Sequence, residues 1–426
     1  MALVADSGLT PFIAGGILVY RLRLTRRESS TMKQVHSSNS LGFWAQTARA
    51  GLVVGLVALS AAAAAQIKVG VTVSATGPAA SLGIPERNAV ALMPRKIGNQ
   101  TIEYIVLDDA SDPVKAVQNT RKLISDDKVD VILGSSTTPN SLAMIDVAAE
   151  GKTAMIAIAS SLRIVDPVDA KRHWVFKTPQ NDAHMMTAMS QHMSDKGIRK
   201  VGIIGFNDAY GEGVIVEFGK LASVRRLDVA IVERYARTDT SVTAQVLKIM
   251  AANPDAVLIA ASGTPAVLPA KTLKERGYKG QIYFTDGVVN NDFLRVGGKD
   301  VEGAFLPVGP VVVAKDLPDS NPIKKVALDF TKKYEDAYGK GSMNSFAAHA
   351  WNGWMMLDRV LPQALKTNAR PGTEAFRAAI RDNLENIKEL VTTHGVMNTS
   401  KTDHMGFDQR ARVMAEIKGG TWTLAK

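Results

Sequence analysis

The sequence predicts an α/β protein built from two doubly wound lobes. Its length, a strand–helix alternation that runs once and then starts again, and a late helix-rich stretch with few strands of its own all point that way. At 426 residues the chain exceeds what one hydrophobic core ordinarily serves, so two domains are expected. With 46% hydrophobic and 22% charged residues, the composition is that of an ordinary globular protein.

After Gln66 the runs IKVGVTV (67–73), IEYIVLD (102–108), VDVILG (129–134) and TAMIAIA (153–159) are short, branched and apolar, and turn residues bound them. Such runs read as buried strands. Helical stretches are expected between them at about 85–97, 113–126 and 139–150. The second is the best marked. Asp112 stands at its N-cap position, Pro113 suits the first turn, and Val114, Val117 and Ile124 fall roughly on one face. Strand–helix alternation of this kind implies a parallel sheet with helices on both faces. A second set follows: KVGIIGF (200–206), VAIVERY (229–235), AVLIAA (256–261) and QIYFTD (281–286), with helices near 211–223, 240–252 and 265–276. The region at about 320–390 is mainly helical, with strand expected near 394–397, at 411–417 and in GGTWTL. A late helical region without a third set of strands fits a chain that returns to complete the earlier lobes.

Composition and motifs exclude several kinds of chemistry. With no cysteine, disulfides, thiolate catalysis and cysteine-ligated metals are out. No GxGxxG, GxxxxGK[ST] or GxSxG pattern occurs, so a nucleotide cofactor and a nucleophile elbow lack their usual cradle. The seven histidines show no metal spacing, and His184 and His192, flanked by methionines, read as packing or surface residues. Neither a cofactor nor a metal is expected, and the weight moves from enzyme to binder. The formal net charge of +10 is partly N-terminal: residues 1–65 hold six basic and two acidic groups, so the remainder is only +6. The charges are interspersed, without a basic run suited to nucleic acid.

Residues 50–65 read AGLVVGLVALSAAAAA after Arg49, a short apolar core with an Ala-x-Ala end. That is the pattern of a secretory signal peptide cleaved after Ala65. A membrane anchor is the alternative, but the stretch is shorter than the roughly 20 residues a spanning helix needs. Met32-Lys33 opens a signal peptide of normal form by itself, so translation is expected to start there rather than at Met1.

What remains is a set of strand ends rich in small hydroxyl residues: SATGPAASLG (74–83), GSSTTPNS (134–141) and ASS (159–161). Ligands of open α/β sheets sit at the carboxyl ends of strands, where helix N-termini present free N–H groups. Each run alone reads as a cap or turn; three on one sheet edge favour a pocket for an anion such as a carboxylate. The second set offers Tyr210 in FNDAYGEG, ASGTP (261–265) and Asp286 in TDGVVN. Asp286 either pairs with a ligand ammonium or caps a turn.

These residues carry a resemblance. The segments IKVGVTVSATGPAASLG, LDDASDPVKAVQNTRKLISDDKVDVILG, FNDAYGEG, GTPAVLPAKTLKERGYKG, TDGVVNNDFLRVGG and FRAAIRDNLE resemble, in family order, the periplasmic leucine/isoleucine/valine-binding family, receptors of branched-chain amino-acid ABC importers. The resemblance implies a type I binding-protein fold, two doubly wound lobes joined by a three-segment hinge. The lobes would be 66–178 with 310–409, and 179–309 with 410–426. It implies carboxylate binding at Thr138 with Thr137 beside it, a further strand-end contact at Ala159, Ser160 and Ser161, and a pocket tyrosine at Tyr210. Asp286 matches the acidic residue that takes the α-ammonium, and Ser81 lies near positions that select the side chain. The implied partners are a small-molecule ligand and the separate permease and ATPase subunits of an importer, with the receptor a periplasmic monomer. The strand end AASGTP lacks the aromatic residue that amino-acid binders can offer, and relatives with this TTPN and SGTP style include receptors for aromatic acids or other small carboxylates. The ligand reading therefore keeps both classes, and a ligand sensor that reuses the same lobes stays as a further alternative.

Overall fold

The structure is a computed structural model that describes residues 66–425. The expected signal segment, with its start at Met32 and its end at Ala65, lies outside the described residues.

The branched apolar runs form the strands. In chain order the first half contains β1 (Ile67–Val73), α1 (Ala80–Ala91), β2 (Lys96–Ile97), β3 (Gln100–Asp108), α2 (Pro113–Ser125), β4 (Val131–Gly134), α3 (Thr138–Glu150), β5 (Ala154–Ala157) and β6 (Val175–Lys177). The second alternation contains α4 (Asp182–Asp195), β7 (Lys200–Phe206), α5 (Ala209–Val224), β8 (Asp228–Tyr235), α6 (Thr243–Ala251), β9 (Ala256–Ala260), α7 (Val267–Glu275), β10 (Gln281–Phe284), α8 (Asn291–Gly297) and β11 (Phe305–Val308). The chain then runs through α9 (Pro322–Tyr338), α10 (Ser345–Lys366), α11 (Glu374–Leu384), β12 (Leu390–Val391), β13 (Val396–Met397), β14 (Val413–Lys418) and β15 (Thr421–Leu424).

Two sheets result, with strand orders β2-β3-β1-β4-β5-β6 and β15-β14-β11-β10-β9-β7-β8. In the first, β1 runs parallel to both β3 and β4, with Thr72 opposite Gly134. In the second, β7 runs parallel to β8 and β9, and β14 closes antiparallel onto β11. The strand order reverses beside β1 and beside β7. There the first helices leave toward opposite sides and open a crevice at the carboxyl ends of the strands. Both sheets carry helices on their faces. The larger core of the first sheet packs β1 and β4 under α9, α10 and α11, and a smaller one packs Leu123, Ile132, Met144 and Met155 on the other face. The second sheet has its own core, into which α4 sends Met185, Met186, Met189 and Met193.

The late helices thus return to the first sheet while β14 and β15 return to the second, and the chain passes between the sheets three times, after β6, after β11 and before β14. Among the described residues no helix is long and apolar enough to cross a membrane.

Several elements differ from expectation. The first helix runs Ala80–Ala91, well before the expected 85–97. Its early start depends on Gly83: an added Cβ would sit 2.1 Å from the Ser74 carbonyl oxygen, so glycine lets the first turn press against the end of β1. Asp112 does cap α2, accepting from the N–H groups of Val114 and Lys115 at 2.7 and 3.2 Å. The buried face of α2 is Ala116, Thr120 and Leu123, however, and Val114 is 64% exposed. The strand expected near 394–397 is half of the two-residue hairpin β12–β13. Neither β6 nor α4 was anticipated.

Candidate functional site

The loops at the two strand-order reversals face one another across a small cleft. The lining residues are Leu82, Ser136, Thr137, Thr138, Ile158, Ala159, Ser160 and Pro179, with Tyr210, Arg237, Ser262, Asp286, Gly287, Phe346 and His349.

The first wall is built by the turn from β4 into α3. Thr137 is the N-cap of α3, with extended backbone (φ −119°, ψ 151°), yet its side chain makes no capping hydrogen bond. Pro139 occupies the first turn and has no N–H to satisfy. Thr138 is 2% exposed and its Oγ1 has no partner. An uncapped helix N-terminus beside a free buried hydroxyl offers several donors to one anion. Ser160 adds a strand end. Its carbonyl is held by the Nζ of Lys177, which also donates to the Gln180 carbonyl at 3.2 Å and to Asn181 Oδ1 at 2.7 Å.

The second wall is ordered by its own hydrogen bonds. Asp208 caps α5, accepting from the N–H groups of Tyr210 and Gly211 at 2.9 and 3.1 Å. Its other oxygen takes Arg237 Nε at 2.5 Å. The guanidinium lies 4.1 Å over the Phe206 ring and donates to Ser262 Oγ at 3.0 Å. Tyr210 Oη donates to Thr285 Oγ1 at 2.8 Å, and Thr285 in turn donates to the Ala261 carbonyl at 2.8 Å. Thr285 rather than Asp286 caps the short turn that follows β10. That leaves Asp286 uncommitted: it is 8% exposed, lines the cavity and forms no ion pair among the described residues. Burial pushes its carboxyl up to about 7, against the pull of the Lys177 ammonium. Burial likewise draws Lys177 down to about 7, opposed by the charges of Asp182 and Asp286.

The structure therefore brings Thr137, Thr138, Ala159, Ser160, Tyr210 and Asp286 to one cavity. Ser81 and Ser161 do not line it. Ser81 lies where the two halves meet: a Cβ on Gly263, which has φ +65°, would come 2.9 Å from its Oγ. Ser161 faces Gly213 in the same way, 3.4 Å from where a Cβ would be. Sequence reasoning missed Ser136 and Ser262 as individuals, although both stand in the hydroxyl-rich runs it marked. Arg237, Phe346 and His349 had no such signal. Arg237 lies past the strand end that was read, and α10 reaches the cavity from far along the chain.

His349 contacts Ser345 Oγ through Nε2 at 3.2 Å and stacks on His394, with ring centroids 4.1 Å apart and 22° between planes. Burial and the neighbouring ring hold His349 well below the usual imidazole range, and burial takes His394 down to about 3. Both rings are neutral in the folded protein. As pH falls below 6.5 the unfolded chain takes up protons that the folded chain refuses, so stability falls until the folded pKa is reached. We expect the stability advantage of the wild type over His394→Gln to narrow by up to about 2 kcal/mol between pH 6.5 and 5. Urea unfolding of both proteins at the two pH values checks this; a constant gap contradicts it.

A cleft between two doubly wound halves, walled by hydroxyls, helix ends and a lone buried carboxylate, is the site of a two-lobed solute receptor. Residues 66–421 match the periplasmic binding protein family, and the chain belongs to that family. It is accordingly a type I solute-binding receptor rather than an enzyme. It is 26% identical, over 69% of this chain and 78% of the other, to a Leu/Ile/Val-binding protein homolog 2 of Brucella abortus (strain 2308). It is similar to an extracellular ligand-binding receptor from Rhodopseudomonas palustris HaA2, with 46% identity, TM-score 0.82, and coverage of 85% of this chain and 100% of that one. An ABC-transporter solute-binding protein from R. palustris in complex with benzoate shares the fold, with TM-score 0.71, 22% identity, and coverage of 84% and 95%.

Proposed function

We propose that this protein is the periplasmic receptor of an ABC importer and that it captures an α-amino acid with a hydrophobic or branched side chain. Asp286 carries the reading. It is a buried carboxylate without an ion-pair partner among the described residues, on a cavity whose facing wall is an uncapped helix N-terminus. Burying an unpaired charge costs several kcal/mol, and a ligand ammonium would offset that cost. The carboxylate docks at Thr137, Thr138 and Ser160, the ammonium at Asp286, and the side chain lies against Leu82, Ile158 and Phe346. Two lobes, 66–178 with 310–409 and 179–309 with 410–426, close on the ligand and present it to a membrane permease and its ATPase. The signal segment directs export and is cleaved after Ala65.

A second reading has a specific observation behind it. Burial pushes the Asp286 carboxyl up to about 7, so it can be held neutral and needs no amine. An aromatic or other small carboxylate would then fill the cavity, the class to which the benzoate of the R. palustris protein belongs. Calorimetry with matched pairs separates the two readings. Binding of L-leucine or L-phenylalanine, with 4-methylpentanoate bound at least about 30-fold more weakly than leucine, supports the amino-acid receptor. Binding of benzoate and 4-methylpentanoate with no response to the amino acids overturns it in favour of the second. A ligand at 100 times its Kd should also raise unfolding stability by about 2.7 kcal/mol.

A further inference from the structure

Behind the first-lobe anion site lies a second layer of acid groups that the binding scheme does not use. Glu86, on α1, is fully buried. Its Oε2 is hydrogen-bonded to Ser136 Oγ, and its Oε1 has no partner. No Lys, Arg or His among the described residues pairs with it. The charge facing it is another carboxylate, Asp109, which accepts from Ser74 Oγ at 2.7 Å, from Ser135 Oγ at 2.5 Å and from the Ser111 N–H at 3.0 Å. Beside it in the chain, the Pro85 carbonyl accepts from Tyr334 of α9 at 3.4 Å. Burial drives the Glu86 carboxyl well above the usual range, and Asp109 adds to the shift.

The hydrogens around Ser136 decide what this arrangement does. Its Oγ accepts from the Ser74 N–H at 2.8 Å, and the residue lines the cavity. A serine hydroxyl has one hydrogen and two lone pairs. Were Glu86 ionised, it could only accept, so the Ser136 hydrogen would point away from the cavity. Two carboxylates would then stand behind a site meant for a third. We propose that Glu86 is a neutral carboxylic acid that donates to Ser136, so that the Ser136 hydroxyl hydrogen is free for the carboxylate of the ligand. The Ser74 N–H and the Glu86 O–H then fill both lone pairs of Ser136, which leaves its hydrogen as the one group free to meet a ligand in the cavity that Ser136 lines. Glu86 is a positioning residue; Ser136 is the contact. The inference rests on the docking of a carboxylate at this wall, common to both readings above, and is indifferent to the amine.

The test uses Glu86→Gln, whose amide can donate to Ser136 as the acid does. L-leucine and benzoate are the probes. If Glu86 is neutral, Glu86→Gln binds within about threefold of the wild type, and Ser136→Ala loses about tenfold, the value of one hydrogen bond to a charged group. If Glu86 is ionised, Glu86→Gln removes a negative charge beside the ligand and tightens binding by about tenfold or more, which overturns the proposal. Unchanged affinity of Ser136→Ala overturns it as well. The infrared difference between ligand-free wild type and Glu86→Gln at pH 7 supplies a readout independent of any ligand. A protonated carboxylic-acid carbonyl band present in the wild type alone supports the proposal, and its absence refutes it. Should neither probe bind the wild type, the proposed function fails while this spectrum still decides the state of Glu86.

Discussion

Replacing Asp286 by asparagine is expected to weaken L-leucine binding by about 2 kcal/mol or more, roughly 30-fold, and to leave 4-methylpentanoate binding unchanged or tighter. The substitution keeps the shape and removes the charge. In the wild type the carboxylate is buried at the cavity with Lys177 as a compensating charge, and Lys177 is also influenced by Asp182. A ligand ammonium would give Asp286 a counter-charge in a water-poor setting, where such a pair is strongest. Without the carboxylate, the ammonium would be stripped of water and left unpaired. A ligand without an amine has no such stake in Asp286. Calorimetry on both ligands and both proteins reads the sign directly: equal losses for the two ligands, or none for leucine, would rule out the ammonium role.

Lys177→Met should produce the largest loss of stability, about 3 kcal/mol or more. The lysine is fully buried at the end of β6, where the chain first leaves the first sheet. Its ammonium binds the Ser160 carbonyl, the Gln180 carbonyl and Asn181 Oδ1, and it balances Asp182 and Asp286. Methionine fills similar space but strands three acceptors and leaves two buried carboxylates without a counter-charge. Both carboxyl groups would then shift further up. Adding Asp286→Asn should recover part of the loss, with a coupling of about 1 kcal/mol or more, because the two groups share one network. Denaturant midpoints of the two single variants and the double variant measure it; strict additivity would show that Lys177 acts only through its hydrogen bonds.

Much of the fold was legible because strands buried on both faces carry unbroken apolar runs. The runs at Ile67, Val131, Lys200 and Ala256 all became strands. The segments that escaped notice have a physical reason. β6 spans three residues and ends in Lys177, whose charge hides a buried strand from any reading of hydropathy. α4 places its methionines on one face, but they lie among polar residues and two histidines, so its periodicity is shallow. In α2 a valine at the first turn suggested the buried face, whereas packing chose Ala116, Thr120 and Leu123.

The candidate site divides along similar lines. Thr137, Thr138, Ala159, Ser160, Tyr210 and Asp286 could be named because each follows a strand run directly, and the carboxyl ends of parallel strands share one edge. The sequence by itself determined the alternation of strands and helices, the hydroxyl-rich strand ends and the lack of cysteine, since these depend on local residue type and spacing. Which side chains meet was decided by the tertiary structure alone. Arg237 is aimed by Asp208 and Ser262. His349 arrives on a helix far along the chain, and Glu86 reaches Ser136 only once Gly83 has let α1 close on β1. Ser81 and Ser161 occupy strand-end runs like the others, yet they meet glycines of the opposite half rather than the cavity. Their placement depends on how the two halves come together, a relation between surfaces that no local pattern encodes.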